Sequence, residues 1–144
     1  MSERLRQAIA KIIGFIRELK TSGDRARPIP CMIGAFHRDA HEEEKRNRDS
    51  AEDFCNFYKE MDEWHTRGSN IYGTGANKYD MGKGLKNAAY RVLVYFDKKN
   101  NIMVFISIYP KDDEKRVLNK EGQKGLKKLV DEIKAGKIEL ISLA

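Results

Sequence analysis

Arg91 stands where a cation is costly. It lies inside Tyr90-Arg91-Val92-Leu93-Val94-Tyr95-Phe96, the first of two runs of β-branched and aromatic residues. An ionised group among the strand residues of a central hairpin needs either the rim of the sheet or a partner. Two readings follow. The side chain lays its stem along apolar surface and pairs with a carboxylate, or its planar fork is presented on a concave face to an anion such as phosphate. Other chemistry-bearing residues are sparser. His37 and His41, four apart, would share a helix face as a metal pair, with Glu42 or Cys55 drawn in. No HExxH pattern is present and no third ligand is specified, so the plainer reading is two solvent-facing helix residues. Gly73-Thr74-Gly75 has the look of a phosphate loop, but no GxxxxGK[ST] follows and no hydrophobic strand precedes it. Cys31 and Cys55 lie in different segments without CxxC spacing, which suggests neither a disulfide framework nor a thiolate zinc site, and they read as reduced core residues.

The element that positions Arg91 is a β-hairpin over about 89–109, its strands joined at Asn100 and Asn101. Strict alternation places Val92, Val94 and Phe96 on one face and Arg91, Leu93 and Tyr95 on the other. On the second strand it places Ile102, Val104, Ile106 and Ile108 opposite Met103, Phe105, Ser107 and Tyr109. Apolar residues on both faces imply interior strands.

Around the hairpin, Leu5, Ile9, Ile12, Ile13, Ile16 and Leu19 recur at helical spacing, with Ser2 as cap and Gly23 as stop. Residues 24–30 read as a linker because Pro28 and Pro30 hold their neighbours out of helix. Residues 31–36 read as a short buried strand, and 38–48 as a charged helix. Ser50, with Asp53 three residues on, caps a further helix whose inward face is Phe54, Phe57, Tyr58, Met61 and Trp64. Residues 67–89 are loop-rich, with a strand at 77–81 and Lys83 and Lys86 leading into the hairpin. Asn119 caps a helix carrying Leu126, Leu129, Val130 and Ile133 and ending near Gly136; a last short strand includes Ile138, Leu140 and Ser142. The order is that of an α+β fold: a small antiparallel sheet flanked by helices, one domain in all. Residues 1–23 form an N-terminal helical extension to a domain at 29–144.

The chain has 144 residues, with 28 basic against 22 acidic. Residues 83–137 carry a net +7 and the remainder a net −1, while 39–66 hold 10 acids against 4 bases. A positive field confined to the C-terminal half favours a polyanionic partner, nucleic acid before membrane lipid. No stretch approaches membrane-spanning length, and the N-terminal apolar run lacks the small-residue cleavage site of a signal peptide, so a cytoplasmic protein is expected.

Tyr90 to Tyr95, the turn, Ile106-Ser107-Ile108-Tyr109-Pro110-Lys111, then Glu114-Lys115, Leu118 and the helix Gly125-Leu126-Lys127-Lys128-Leu129-Val130 resemble the C-terminal half of RelE/HigB-type toxins of toxin–antitoxin systems. The resemblance covers roughly 77–134, and the first 75 residues share only a helix–helix layout. It departs from the family at Asp112 and Asp113, where some members carry a further Arg, and in lacking the tyrosine that RelE-like members place near the C-terminus.

The resemblance implies an endoribonuclease with no metal or other cofactor, acting on mRNA and often on the ribosome, and held in check by a cognate antitoxin. In that chemistry the ribose 2′-OH attacks the adjacent phosphodiester, so the site must take a proton, brace a dianionic phosphorane and protonate the leaving 5′ oxygen. Arg91 matches the family's strand arginine and Lys111 the basic residue ending the next strand. Lys83 and Lys86 match loosely the lysines before the hairpin, where depression of one pKa by neighbouring cations would make a base. Tyr109 stands in for the missing tyrosine or simply packs. A site Arg91 facing solvent would be replaceable by Ala with little change in melting temperature. The alternative is a non-catalytic protein of the same fold, a gyrase-type inhibitor or an RNA-binding module; a base close to Arg91 would favour the enzyme.

Overall fold

A computed structural model describes residues 2–21, 23, 27–48, 50–60, 68–81 and 90–143. The elements in order are α1 (Glu3–Thr21), β1 (Ile29–Met32), α2 (Gly34–Arg46), α3 (Ser50–Glu60), β2 (Ser69–Asn70), β3 (Asn77–Met81), β4 (Tyr90–Asp97) and β5 (Ile102–Pro110). A 3-10 turn (Lys111–Asp113), α4 (Glu114–Val117), α5 (Lys120–Lys134) and β6 (Ile141–Ser142) complete the chain. The fold is α+β, as the pattern implied. Its six strands lie in the order β2-β3-β4-β5-β1-β6, antiparallel except where β1 runs parallel to β5.

The hairpin is β4 and β5. Its turn is fixed by Asp97, whose Oδ1 accepts from the Asn100 N–H at 3.2 Å and whose Oδ2 accepts from the Asn100 side chain at 2.7 Å. Asn101 takes the left-handed conformation, φ 54°, which asparagine tolerates better than most residues. The expected strict alternation fails at one point. Leu93 opposes Ser107 but Val94 opposes Phe105, leaving Ile106 as the extra residue of a bulge. Phe105 therefore joins Val92, Val94 and Ile108 in register, rather than opposing the even-numbered set.

Phe105 is the centre of the core. Its ring lies 5.0 Å from Phe54, 5.5 Å from Phe36 and 6.5 Å from Tyr58, so α2 and α3 cover this side of the sheet. The buried residues of α1, Leu5, Ala8, Ile12 and Ile16, join the same cluster by packing on α3, with Phe15 edge-on to Tyr58. The amphipathic α5 contributes Leu126, Val130 and Ile133. Asn119 caps it by accepting from the Gly122 N–H at 2.8 Å. Ser2 likewise accepts from the Leu5 N–H at 3.2 Å at the start of α1.

Four expectations are corrected. Ile29 and Pro30, read as linker, belong to β1; Pro30 lacks a donor, but its carbonyl accepts from the Leu143 N–H at 2.9 Å. The strand expected at 31–36 ends at Met32, and Gly34-Ala35-Phe36 opens α2, with no side-chain cap on Ile33 to announce it. The final strand is only Ile141–Ser142, without Ile138 or Leu140. Ser50 does begin α3, yet its buried Oγ has no hydrogen-bond partner, so the expected capping bond is not made. Phe54, Phe57 and Tyr58 are buried as expected, while Met61 and Trp64 fall outside the described residues. No helix among the described residues is long and apolar enough to cross a membrane.

Candidate functional site

Three adjacent strands and one helix bring the charges together. Asp80 on β3 opposes Arg91 on β4, and Arg91 opposes Tyr109 on β5. Period-two alternation sets Lys78 on the same side as Asp80. Pro110 ends the ladder, the 3-10 turn reverses the chain, and α4 begins with Glu114 over Arg91.

Arg91 is 16% exposed. Its Nη1 contacts Asp80 Oδ1, and its Nε lies 3.5 Å from Glu114 Oε1. That Nε is buried and without a hydrogen-bond partner. Glu114 Oε1 also accepts from Lys78 Nζ at 2.9 Å and from the Tyr109 hydroxyl at 3.4 Å. The hydrogen bond from Lys78, followed by the charges of Lys78 and Arg91, holds the Glu114 carboxyl below the usual carboxylate range. Burial, and then the adjacent Glu114 carboxylate, push the Tyr109 phenol far upward. Tyr109 therefore stays protonated at neutral pH, able to donate a hydrogen bond but not to act as a base.

The Arg91 guanidinium is paired with carboxylates and is not turned to solvent. Tyr109 is beside it. Lys111 is exposed in the 3-10 turn two residues beyond Tyr109. Lys83 and Lys86 lie outside the described residues. Sequence reasoning missed Lys78, Asp80 and Glu114. Lys78 and Asp80 alternate on the strand paired with Arg91, a signal readable only once the register is known, and Glu114 is masked by the acids at 112 and 113.

His37 and His41 are half-buried on α2 rather than solvent-facing, with His37 Nε2 and His41 Nδ1 enclosed and unbonded. Burial, then nearby positive charge, lowers the His37 pKa. Among the described residues no three His, Cys, Asp or Glu side chains converge as metal ligands. Cys31 and Cys55 are free and buried, and burial pushes both thiols upward, away from reactivity.

The chain matches no protein-family model and no curated protein.

Proposed function

We propose that the chain is a toxin-type endoribonuclease, similar to RelE/HigB toxins, that cleaves RNA by metal-independent attack of the 2′-OH. The observation that carries this reading is the carboxylate of Glu114 held beside Arg91, with Lys78 on the same oxygen. Glu114, ionised at neutrality, takes the 2′-OH proton. The new bond joins the 2′ oxygen to phosphorus, and the bond to the 5′ oxygen breaks. In this reading Arg91 exchanges its exposed partner Asp80 for the phosphorane oxygens, and Lys111 adds a second positive charge. The Lys78 ammonium protonates the departing 5′ oxygen, and the product ends in a 2′,3′-cyclic phosphate. The expected substrate is mRNA, on or off the ribosome, and the expected regulator is a cognate antitoxin.

The test is incubation of purified protein with single-stranded RNA and with programmed ribosomes, with and without EDTA. Cyclic-phosphate termini, insensitivity to EDTA, and loss of ~100-fold or more in rate in Glu114→Gln support the reading. Full-rate cleavage by Glu114→Gln removes Glu114 from the chemistry. One observation favours the runner-up, a binding protein of the same fold: Asp80 and Glu114 already neutralise Arg91 and Lys78. Salt-dependent RNA retention with no cleavage on either substrate would assign the chain to that class.

A further inference from the structure

Among the described residues one aromatic ring is left uncovered. Tyr72 is 95% exposed, whereas every other described aromatic side chain is buried or half-buried. The turn that carries it is closely held. The Ile71 N–H donates to the Ala76 carbonyl at 2.9 Å, and the Thr74 N–H to the Ile71 carbonyl at 3.1 Å. The Thr74 hydroxyl donates to the same Ile71 carbonyl at 2.7 Å and accepts from the Ala76 N–H at 3.1 Å. Gly73 and Gly75 take left-handed φ of 76° and 83°, a conformation that side chains disfavour. Ile71, Thr74 and Ala76 are buried, so the turn is anchored on both sides of its exposed ring. Gly73-Thr74-Gly75 thus builds a fixed mount for Tyr72.

The mount sits against a row of cations. A Cβ on Gly75 would meet Val130 Cγ1 at 3.3 Å and Lys134 Nζ at 3.9 Å, which puts the turn against the C-terminal half of α5. Lys120, Lys127 and Lys134 recur at an interval of two helical turns and so form one row along α5. Lys134 Nζ ends the row 5.6 Å from the centre of the Tyr95 ring. Tyr95 shares a face of β4 with Arg91, ~13 Å away along the strand. At the other end, Lys120 follows shortly after α4, which holds Glu114 beside Arg91. The row therefore runs from the Arg91 cluster to the Tyr72 turn. Lys120 and Lys134 form no ion pair among the described residues. Lys127 pairs with Asp131 at 2.9 Å, but both side chains are more than half exposed, which makes the contact weak.

A base can stack on an exposed ring that is already fixed in place, while cations beside it track the sugar–phosphate chain; proteins that hold single strands combine these two parts. We propose that Tyr72 is a stacking platform for an unpaired RNA base, and that Lys134, Lys127 and Lys120 carry the backbone from it towards Arg91. The proposal deepens the ribonuclease reading, on which it rests for the identity of the nucleic acid, and it assigns the substrate to single strands. A duplex keeps its base faces stacked on one another and has none to offer Tyr72.

Fluorescence anisotropy with a short end-labelled single-stranded RNA tests it. The RNA carries 2′-O-methyl groups, so it cannot be cut by 2′-OH attack and binding is read apart from chemistry. Tyr72→Ala should weaken binding by about 10-fold, the worth of one stacked base, without changing the salt dependence. Tyr72→Phe, which keeps the ring, should bind as wild type does. Lys120→Gln and Lys134→Gln should each flatten the slope of log affinity against log salt by about 0.7. Arg17→Gln on α1 should change neither quantity, and melting curves confirm that each variant is folded. A matched RNA duplex should compete poorly. Equal binding by wild type and Tyr72→Ala, competition by duplex as strong as by single strand, or no binding by wild type overturns the proposal. The ribonuclease reading fails separately: binding through Tyr72 with no cleavage of unmodified RNA keeps the platform and removes the enzyme, whereas cleavage with equal binding by Tyr72→Ala does the reverse.

Discussion

Arg91→Ala separates structural from chemical roles, and both magnitudes can be worked out. On the structural side, three contributions are lost. The contact with Asp80, whose side chain is 58% exposed, is worth ~0–1 kcal/mol. The more enclosed contact with Glu114 is worth ~1–2 kcal/mol, and burial of the stem adds ~1 kcal/mol. Glu114 keeps Lys78 at 2.9 Å, so no carboxylate is orphaned and the larger penalty of a broken buried pair does not apply. The sum, ~2–4 kcal/mol, lowers Tm by roughly 6–16 °C in a chain of this size. This replaces the expectation from sequence of an unchanged Tm, which assumed a solvent-facing side chain. On the chemical side, loss of a phosphorane donor costs ~3 kcal/mol, about 100-fold in rate. Arg91→Lys should recover part of the stability and little of the rate, since an ammonium cannot form two parallel bonds. Asp80→Asn serves as the control, expected to cost under ~1 kcal/mol and to leave the rate intact. Thermal melts and single-turnover cleavage read the two quantities. A variant within ~1 °C of wild type would refute the packing argument; folded Arg91→Ala cleaving at full rate would refute the chemical one.

Three further outcomes are expected. Ile106→Ala, at a bulge residue 3% exposed, should cost ~2–5 kcal/mol in urea unfolding, and a smaller loss would mean the site collapses onto the cavity. The Glu114 carboxyl is depressed in the folded protein, so its contribution to stability is present above its unfolded pKa and lost as pH falls through the folded value. Wild type should therefore exceed Glu114→Gln in Tm at neutral pH, with the difference shrinking below about pH 4.3; a pH-independent difference would contradict the linkage. Charge reversal at Lys111, Lys124 and Lys128 should weaken RNA binding and flatten its salt dependence far more than reversal at Arg4 or Arg17 on α1, measured by filter retention across a salt series.

What the sequence made legible follows from which signals are local. β4 and β5 could be read because β-branched runs and an Asn-Asn turn lie within twenty-odd residues of one another, and α5 because its apolar stripe and Asn119 cap are both present. β1 was obscured by Pro30, which breaks strands in general and is tolerated here because only its carbonyl is used. The start of α2 was invisible because Ile33 offers no capping oxygen. The bulge at Ile106 leaves no compositional trace, and it reassigns Phe105, the residue on which three other aromatic rings converge. For the site, Arg91 and Tyr109 were accessible as members of the hairpin. Lys78, Asp80 and Glu114 were not, because their proximity to Arg91 depends on strand register and on the reversal after Pro110.

The parallel seat of β1 beside β5 bears on how the chain is made. Ile29 lies opposite Ile102, so the first strand's ladder partner is synthesised about seventy residues later, the kind of distant pairing that slows folding. While the chain emerges from the ribosome, α1, β1, α2 and α3 expose apolar faces with no sheet to cover. In the finished sheet the hairpin lies between β3 and that first strand. Glu114 and Tyr109 emerge with or after the hairpin, so the ionic cluster around Arg91 has no existence in a partly made chain.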